Sequence, residues 1–448
     1  MITWITRQKS LVALCAWTVF ISPLLPAQTF NGAISGAVVD SSNAAIAKVA
    51  VQAVHQDTGF TFGTISSEFG DFLFPNLPLG EYSLTFTKAP FQTQRMENVE
   101  VAVARTTNIQ AKLAIAELST QVEVVESTAT LETTSSTLAT VVGRRQVQDM
   151  PLNGRNYRQM LRLSPGASPA GPQGIHSMNG SRNINSNNQI DGADNNDAFF
   201  NSPAVGGSGG NGLLPLDAID QLSVVTNAPA DFGRNSGSNI SVVIKSGTNQ
   251  LHGSAYYFNR NEYFAAFTPF QDPSNSKKRA LRTDQWGFSA GGAVVKNKLF
   301  YFTSGERFQS ILALSLRATH PSTAWVNGAR TVLQKHGIPV NPVATNLLSF
   351  WPQRYNNLPA ELNNFVADDR NTAGSYNGIL KLDYAVSSKH NVSARYLGST
   401  ANNVSQSLVP YREFFQSVDT RPHNVGVNLN STLSPRLVNQ LLLGVNYY

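Results

Sequence analysis

Three sets of residues have types and spacings that could do chemistry. Gly206-Gly207-Ser208-Gly209-Gly210 satisfies the Gly-x-Ser-x-Gly pattern of a nucleophile elbow. That elbow needs a strand before it and a helix after it. This run continues as another glycine-rich turn, so a flexible loop is the better reading. It also lacks the strand-to-helix setting of a dinucleotide site. Asp191, Asp194 and Asp197, with Asn195 and Asn196, could collect oxygen ligands for calcium. Their spacing does not match the EF-hand loop, which favours a polar loop whose five residues could face an incoming substrate. The seven histidines are scattered, with no pair at i, i+4 and no His-Glu-x-x-His, so a zinc hydrolase is not supported. No catalytic residue, no metal site and no cofactor is expected.

Charge is equally restrained. Charged residues make up 14% of the 448, against roughly 25% in an ordinary soluble chain. A net charge of +6 is a weak field over this length. The densest basic cluster, Lys277-Lys278-Arg279, is flanked by Ser, Asn and Pro and has no stacking aromatics in register. A solvated loop explains it, and no nucleic-acid partner is expected. With 33 Gly and 22 Pro, neither collagen nor wholesale disorder is indicated. The length allows two to four folding units.

The amino terminus reads as a secretory signal. Arg7 and Lys9 precede an apolar stretch from Leu11 to Leu25, which is followed by Pro26-Ala27-Gln28. The stretch is too short and too interrupted at Ser22-Pro23 to span a bilayer well, and cleavage is expected after Ala27. Cys15 lies inside it behind Leu14, which argues against a lipoprotein site. Cleavage would remove the single cysteine, leaving no disulfide and no thiolate ligand. No other apolar run is long enough for a membrane helix. An exported chain of this kind is either soluble or a β-barrel.

The elements that must position the polar residues are mostly β. From Asn31 to about Glu117, short alternating strands predict a small sandwich, with examples at Ile34–Val39, Val49–Val54, Phe69–Phe74 and Tyr82–Phe86. Within it, His55 is expected to be an exposed strand residue. Residues 118–145 read as a linker or edge strand. From Met150 to Asn249 the composition turns to Asn, Gly and Ser, with apolar segments at Ile219–Thr226 and Ile240–Lys245. Such a domain makes a poor core alone and would be stabilised inside something else. Arg155, Arg158, Arg182 and Arg234, so enclosed, are expected to pair with carboxylates or to line a wet lumen, with structural pairing to the enclosing wall favoured over ligand binding.

Residues 251–448 alternate clearly. Val392, Ala394 and Tyr396 oppose Asn391, Ser393 and Arg395, and Leu380, Leu382 and Tyr384 oppose Lys381 and Asp383. Val425, Val427 and Leu429 likewise oppose Gly426, Asn428 and Asn430. Seven strands are read, at about 252–262, 286–295, 299–310, 375–385, 390–399, 422–431 and 436–448. Their connections alternate long and short. The short ones are Lys296-Asn297-Lys298, Val386 to Lys389 and Thr432 to Pro435. Long loops at one end only, with one apolar and one polar face, are the pattern of an outer-membrane barrel.

These residues also carry a resemblance. GAVVDSSNAAIAKVAVQA and SEFGDFLFPNLPLGEYSLTF resemble the carboxypeptidase regulatory-like domain, a transthyretin-like sandwich without catalytic residues in this family. MPLNGRNYRQMLRLSPGA (150–167), NGSRNINSNNQIDGADNND (179–197) and PLDAIDQLSVVTNAPADFGRNSGSNISVVIKSGTN (215–249) resemble the plug of TonB-dependent receptors. LHGSAYYFNRNEYF (251–264), WGFSAGGAVVKNKLFYFTSGERF (286–308) and NPVATNLLSFWPQ (341–353) resemble their first barrel strands and a long loop. The nearest subgroup is the Oar-like receptors. The expected division is a signal peptide at 1–27, the sandwich at 28–117, TonB linker and plug at 118–250, and a partial barrel at 251–448. The fold class is accordingly mostly β, comprising a transthyretin-like sandwich, an α+β plug and the first strands of an incomplete transmembrane β-barrel.

The resemblance implies a barrel of about 22 strands blocked by its plug. It also implies a periplasmic partner, the TonB energy-transducing complex, that moves the plug to admit a large solute. Outer-membrane lipid is the other partner expected. The solute could be a glycan, a ferric chelate or a cobalamin-like compound. Val122, Glu123, Val124 and Val125 are the candidate TonB-contacting segment, because backbone pairing needs extension and few side-chain requirements. Seven strands cannot close around a plug, so the chain is expected to be a fragment ending at Tyr448. A surface-adhesion or protein-export role on the same architecture is the alternative. A secreted metallopeptidase, which the accessory domain's name invites, lacks a ligand set.

Overall fold

The computed structural model describes residues 31–115, 122–124, 138–169, 176–198, 201–206, 214–227, 237–267, 278–405, 411–434 and 437–447. The proposed signal peptide lies outside them, as do Val125, Ser208, Arg234 and Lys277.

The first unit is a two-sheet sandwich. Its strands are β1 (Gly32–Asp40), β2 (Ala50–His55), β3 (Thr61–Ile65), β4 (Asp71–Leu77), β5 (Gly80–Thr87), β6 (Gln94–Val101) and β7 (Thr106–Leu113). One sheet runs β4-β1-β7. The other runs β3-β2-β5-β6 and ends on β8 (Val122–Val124), which pairs in parallel with β6 at Gln94–Met96. Alternation places Phe62, Phe72, Phe74, Tyr82 and Phe86 inward, where Phe72 meets Phe86 edge-on at 5.5 Å. Each such ring contributes roughly 1.5–3 kcal/mol by burial.

His55 departs from expectation, since it is buried. Nε2 sits 2.9 Å from the Leu79 carbonyl, and Nδ1 accepts from the backbone N–H of Asp57 at 3.2 Å. The ring lies against Gly80, whose φ of 137° and missing Cβ leave room for it. The reason is positional: His55 ends its strand, and its ring satisfies the turn that follows.

The central unit carries a five-stranded sheet in the order β13-β12-β15-β14-β9. These are β9 (Ala139–Val142), β12 (Ser186–Ile190), β13 (Ala193–Asp194), β14 (Ile219–Val225) and β15 (Ser238–Ile244), with a small hairpin of β10 (Ala167–Pro169) and β11 (His176–Met178). Helix α1 (Arg144–Asp149) covers β14. Both β14 and β15 are buried along their whole length. That burial leaves their polar members to pair inside the protein, as Gln221 does with the Val103 N–H, Asn239 with Asn187 and Ser241 with Asn239, while the Ser223 hydroxyl has no partner among the described residues.

The third unit is one antiparallel sheet. It comprises β16 (His252–Asn261), β17 (Leu281–Val295), β18 (Leu299–Ala318), β19 (Phe365–Ser387), β20 (His390–Ser405), β22 (His423–Ser434) and β23 (Leu437–Tyr447), with β21 (Gln416–Thr420) adding to the end of β20. Neighbours in sequence are neighbours in space, and among the described residues β16 and β23 are its two free edges. All seven expected strands form. Those flanking the longest loop exceed expectation, at 20 residues for β18 and 23 for β19. A bilayer-spanning strand needs only about 9–11 residues, so both strands are longer than a crossing requires. The loop between them is built from α2 (Thr323–Lys335) and α3 (Pro342–Ser349). An aromatic cluster of His320, Trp351, Tyr355, Phe365 and Tyr411 pins it, with His320 Nδ1 and Tyr411 Oη sharing a 2.6 Å hydrogen bond.

Burial of His55 lowers its pKa from the ordinary 6.5. The unfolded chain therefore binds the extra proton first, and stability is full above about pH 6.5 and falls as pH drops through that value toward the folded pKa. Thermal unfolding followed by circular dichroism should show a lower midpoint at pH 5.5 than at 7.5. In His55→Gln this difference should shrink.

Candidate functional site

The large sheet is amphipathic with its polar face covered. Lys381, Arg395, Asn424 and Asn428 are buried, while their strand neighbours Leu380, Leu382, Tyr396, Val425 and Val427 are exposed. What covers the polar face is the central unit. The chain crosses between the two at Ser246-Gly247-Thr248. There a Cβ on Gly247 would lie 2.3 Å from the Tyr301 carbonyl oxygen and 2.5 Å from that of Gly292. Only glycine lets the backbone pass this close to β17 and β18.

Asp191 is the centre of the contact. It sits in the turn after β12, in a left-handed conformation with φ of 46° followed by Gly192 at 77°. Its Oδ1 accepts from the Ile244 N–H at 2.9 Å and lies 3.7 Å from Lys381 Nζ, and its Oδ2 lies 3.4 Å from Arg395 Nε. Lys381 Nζ also donates to the Ile244 carbonyl at 2.7 Å, and Arg395 Nη2 donates to Asn424 Oδ1. Lys381 and Arg395 face each other directly in the β19–β20 register. Like charges so placed repel, and the carboxylate brought by the central unit is what separates them. All three side chains are at most 9% exposed.

A second clasp holds the first strands. Arg155 pairs with Asp217 at 3.0 Å and lies over the rings of Tyr256 and Phe258 on β16, at 5.2 and 4.1 Å. Tyr256 Oη and Gln285 Nε2 both donate to Glu306 Oε2, at 2.7 and 2.8 Å. Between the clasps, Phe302, Ile379 and Leu397 of the sheet join the apolar core of the central unit. The ion pair of Arg155 is thus with a carboxylate of the central unit itself, and it reaches the wall only through the two rings of β16.

The sandwich closes the short-turn end. Phe60 packs edge-on against Phe300 of β18 at 5.4 Å, and the Val103 N–H donates to Gln221 Oε1 of the central unit at 3.0 Å. Asn76 donates to Asn430 of β22 at 3.1 Å. A cavity of about 100 Å³ remains where the three units meet, bordered by His55, Arg144, Asp220, Lys381 and Asp383.

The other expected residues are dispersed around this frame. Asn195 bonds both to the Val205 carbonyl and to its N–H, at 2.8 and 3.1 Å, and Asn196 to Asn187 and Asn188. Asp197 caps Ser202 at 2.7 Å. These side chains are buried and hold their own loop together, whereas Asp194 is exposed, with its carbonyl accepting from Asn446 of β23. Val122, Glu123 and Val124 form β8 at the edge of the sandwich. Sequence reasoning named Lys381 and Arg395 only as members of a polar face. Their direct opposition was the available signal, once the short turn at Val386–Lys389 fixed the register.

Comparison with known proteins agrees with this geometry. Residues 243–448 match the outer membrane beta barrel domain, and residues 33–114 match the carboxypeptidase regulatory-like domain. The class is therefore an outer-membrane barrel sheet with an N-terminal accessory sandwich. The TonB-dependent transporter Oar of Myxococcus xanthus is 24% identical over 294 residues, covering 61% of this chain and 26% of that protein. The chain is a relative of the TonB-dependent outer-membrane receptors of the Oar-like type, which are transporters and not enzymes. It spans about a quarter of the length of the curated relative it matches. Two solved structures align over 69% of the chain at 13% identity and a TM-score of 0.44. They are the siderophore receptor PirA of Acinetobacter baumannii, 39% covered, and the outer membrane transporter YddB of Escherichia coli, 38% covered.

Replacing Asp191 by Ala leaves two buried cations opposed and unpaired. A loss of about 3–5 kcal/mol is expected, read as a lowered urea midpoint of the detergent-extracted protein. Adding Lys381→Met to that variant should recover part of it.

Proposed function

We propose that this chain belongs to an energised outer-membrane receptor. In this reading residues 1–27 export the chain and 28–117 form a periplasmic accessory domain. Residues 118–250 are the linker and plug, and 251–448 are barrel wall. The observation that carries the reading is the inverted sheet, polar where covered and apolar where exposed, with a hydrogen-bonding domain seated on its polar face. A soluble protein has no use for such a sheet, and a water-filled barrel requires it.

The clasps give the plug a defined resting state. Asp191 between Lys381 and Arg395, and Arg155 on Tyr256 and Phe258, hold the plug against the wall without covalent bonds. Displacing it exposes hydroxyl- and amide-bearing side chains such as Ser304, Asn377 and Ser399, which line the covered face. Hydrogen-bonding side chains dominate this stretch of wall, which fits a large polar solute such as a glycan, a ferric chelate or a cobalamin-like compound. The force would enter through Val122, Glu123, Val124 and Val125, where extended backbone can add to a strand of the TonB complex. Asp191, Asp194, Asn195, Asn196 and Asp197 would then move as one loop, Asp191 leaving its cations and Asp194 leaving Asn446.

Deleting residues 121–125 tests the reading. Growth on the imported solute should stop while the amount of barrel in the outer membrane is unchanged, measured by surface labelling and heat-modifiable migration. Persistent uptake would remove this segment as the TonB contact. Uptake by neither form, with cell-surface attachment intact in both, would favour the adhesion role of the same architecture.

A further inference from the structure

Arg158 of the central unit is a buried cation without a countercharge, only 8% exposed. The cause is local. Tyr157–Leu163 is a 3-10 helix, in which side chains three apart share a face, so Arg158 follows Leu161 inward. Tyr157 and Met160, also three apart, fill the apolar core beside it. Arg144, Arg155 and Arg395 each have a carboxylate, Asp220 at 2.6 Å, Asp217 at 3.0 Å and Asp191 at 3.4 Å. Arg158 has none. Its backbone N–H donates to Asn156 Oδ1 at 3.0 Å, but its guanidinium makes no ion pair and no hydrogen bond among the described residues.

Arg158 borders a cavity of about 40 Å³. His176, Asn183, Ser186, Asn188 and Ser202 border it too, and among the described residues no Asp or Glu does. Arg162 Nε donates to His176 Nε2 at 3.0 Å, which puts the His176 proton on Nδ1 and leaves the ring neutral. Asp197 is turned to Ser202, accepting from its N–H at 3.0 Å and its hydroxyl at 2.7 Å. The wall thus carries one full positive charge among neutral polar groups. The cavity lies at the Ser186 end of β12, beside the start of β15 at Ser238. β15 runs from there toward Ile244 and the crossing at Ser246–Thr248, so this end of the unit is turned away from the sandwich. Ile184, 44% exposed, and half-buried Asn183 are its solvent-facing members.

We propose that this cavity binds a single carboxylate group. A guanidinium taken out of water without a partner is strongly unfavourable, and an anion held against it removes that cost. Its planar fork matches a carboxylate through two parallel N–H···O bonds. Size makes the same choice. At roughly 10–15 Å³ for each water-sized group, the space takes about three, which suits a carboxylate and is tight for a tetrahedral phosphate. The carboxylate could be free or borne on a larger solute that enters past Ile184, and the chemistry is the same. It would tie the 3-10 helix to the loop at 196–203, which already closes on β12 through Asn188 Nδ2 donating to Asn196 Oδ1 at 2.9 Å. The site lies wholly within the central unit and stands whether or not the large sheet is a barrel wall.

The test uses the purified chain in detergent and isotope-labelled formate as the probe, with binding read as NMR line broadening. Wild type should bind formate saturably, and Arg158→Gln should bind it about tenfold more weakly. Arg158→Met, which keeps the apolar stem, carries the same expectation should the first variant fail to fold. Arg182→Gln removes an exposed arginine of the same unit that does not border the cavity, and should bind like wild type. Hydrogen exchange across β14 and β15 checks that each variant keeps the unit folded. With formate present, peptides spanning 186–198 should exchange more slowly in wild type and be unchanged in the Arg158 variants. Displacement of formate by a uronic-acid disaccharide would extend the site to carboxylates borne on solutes. Its failure would restrict the site to free ones, and the carboxylate site stands in both cases. Equal formate binding by wild type and the Arg158 variants, or saturable binding by none of them, would overturn the proposal and leave Arg158 merely hydrated. So would phosphate or chloride displacing formate at equal concentration.

Discussion

One constraint organises this molecule: in its largest sheet the polar face is the one that is covered. A soluble sheet buries its apolar face and gains roughly 25 cal/mol for each Å² removed from water. Here Leu380, Leu382 and Tyr384 stay outside, while Lys381 and Arg395 go in. The exposed face is stable only in a medium as apolar as itself. The covered face is stable only against a partner that supplies hydrogen bonds and countercharge.

The central unit meets the second demand, and its composition follows from it. Its buried strands carry Gln, Ser and Asn that pair with one another and with the sandwich, and Asp191 is presented by a tight turn between two cations that face each other. A conventional apolar core would leave Lys381 and Arg395 unsatisfied. The sandwich, in contrast, has an ordinary aromatic core, yet it too reaches the wall, through Phe60 on Phe300 and Asn76 on Asn430. The three units thus share one frame, and movement of the central unit has to be reconciled with contacts on both sides.

Much of the sheet was legible in the sequence. Period-two alternation and the short turns at Lys296–Lys298 and Val386–Lys389 fixed strands and faces, because a one-residue slip would have moved Lys381 and Arg395 onto the apolar face. Strand length was not legible. In the upper part of β19 the run Asp368-Asp369-Arg370-Asn371-Thr372 has no apolar alternation to mark it as strand. His55 was misplaced because a strand-end histidine satisfied by the next turn has no periodic signature. Asp191 was found as a polar loop residue, but its cations lie about 190 residues downstream, and only the tertiary fold brings them to it. The short strand at Val122–Val124 was foreseen as extended backbone. Its parallel partner β6 was not, since pairing register leaves little trace in three residues.

The central claim concerns which face of the sheet meets lipid, and single-cysteine scanning of β19 from Tyr376 to Val386 tests it most directly. The only native cysteine, Cys15, lies in the proposed signal. Spin labels at 376, 380, 382, 384 and 386 should show high accessibility to oxygen and low accessibility to a water-soluble nickel chelate, with the reverse contrast or full exclusion at 377, 379, 381 and 383. Uniform water accessibility along the strand, or apolar positions shielded while polar ones are exposed, would contradict the account.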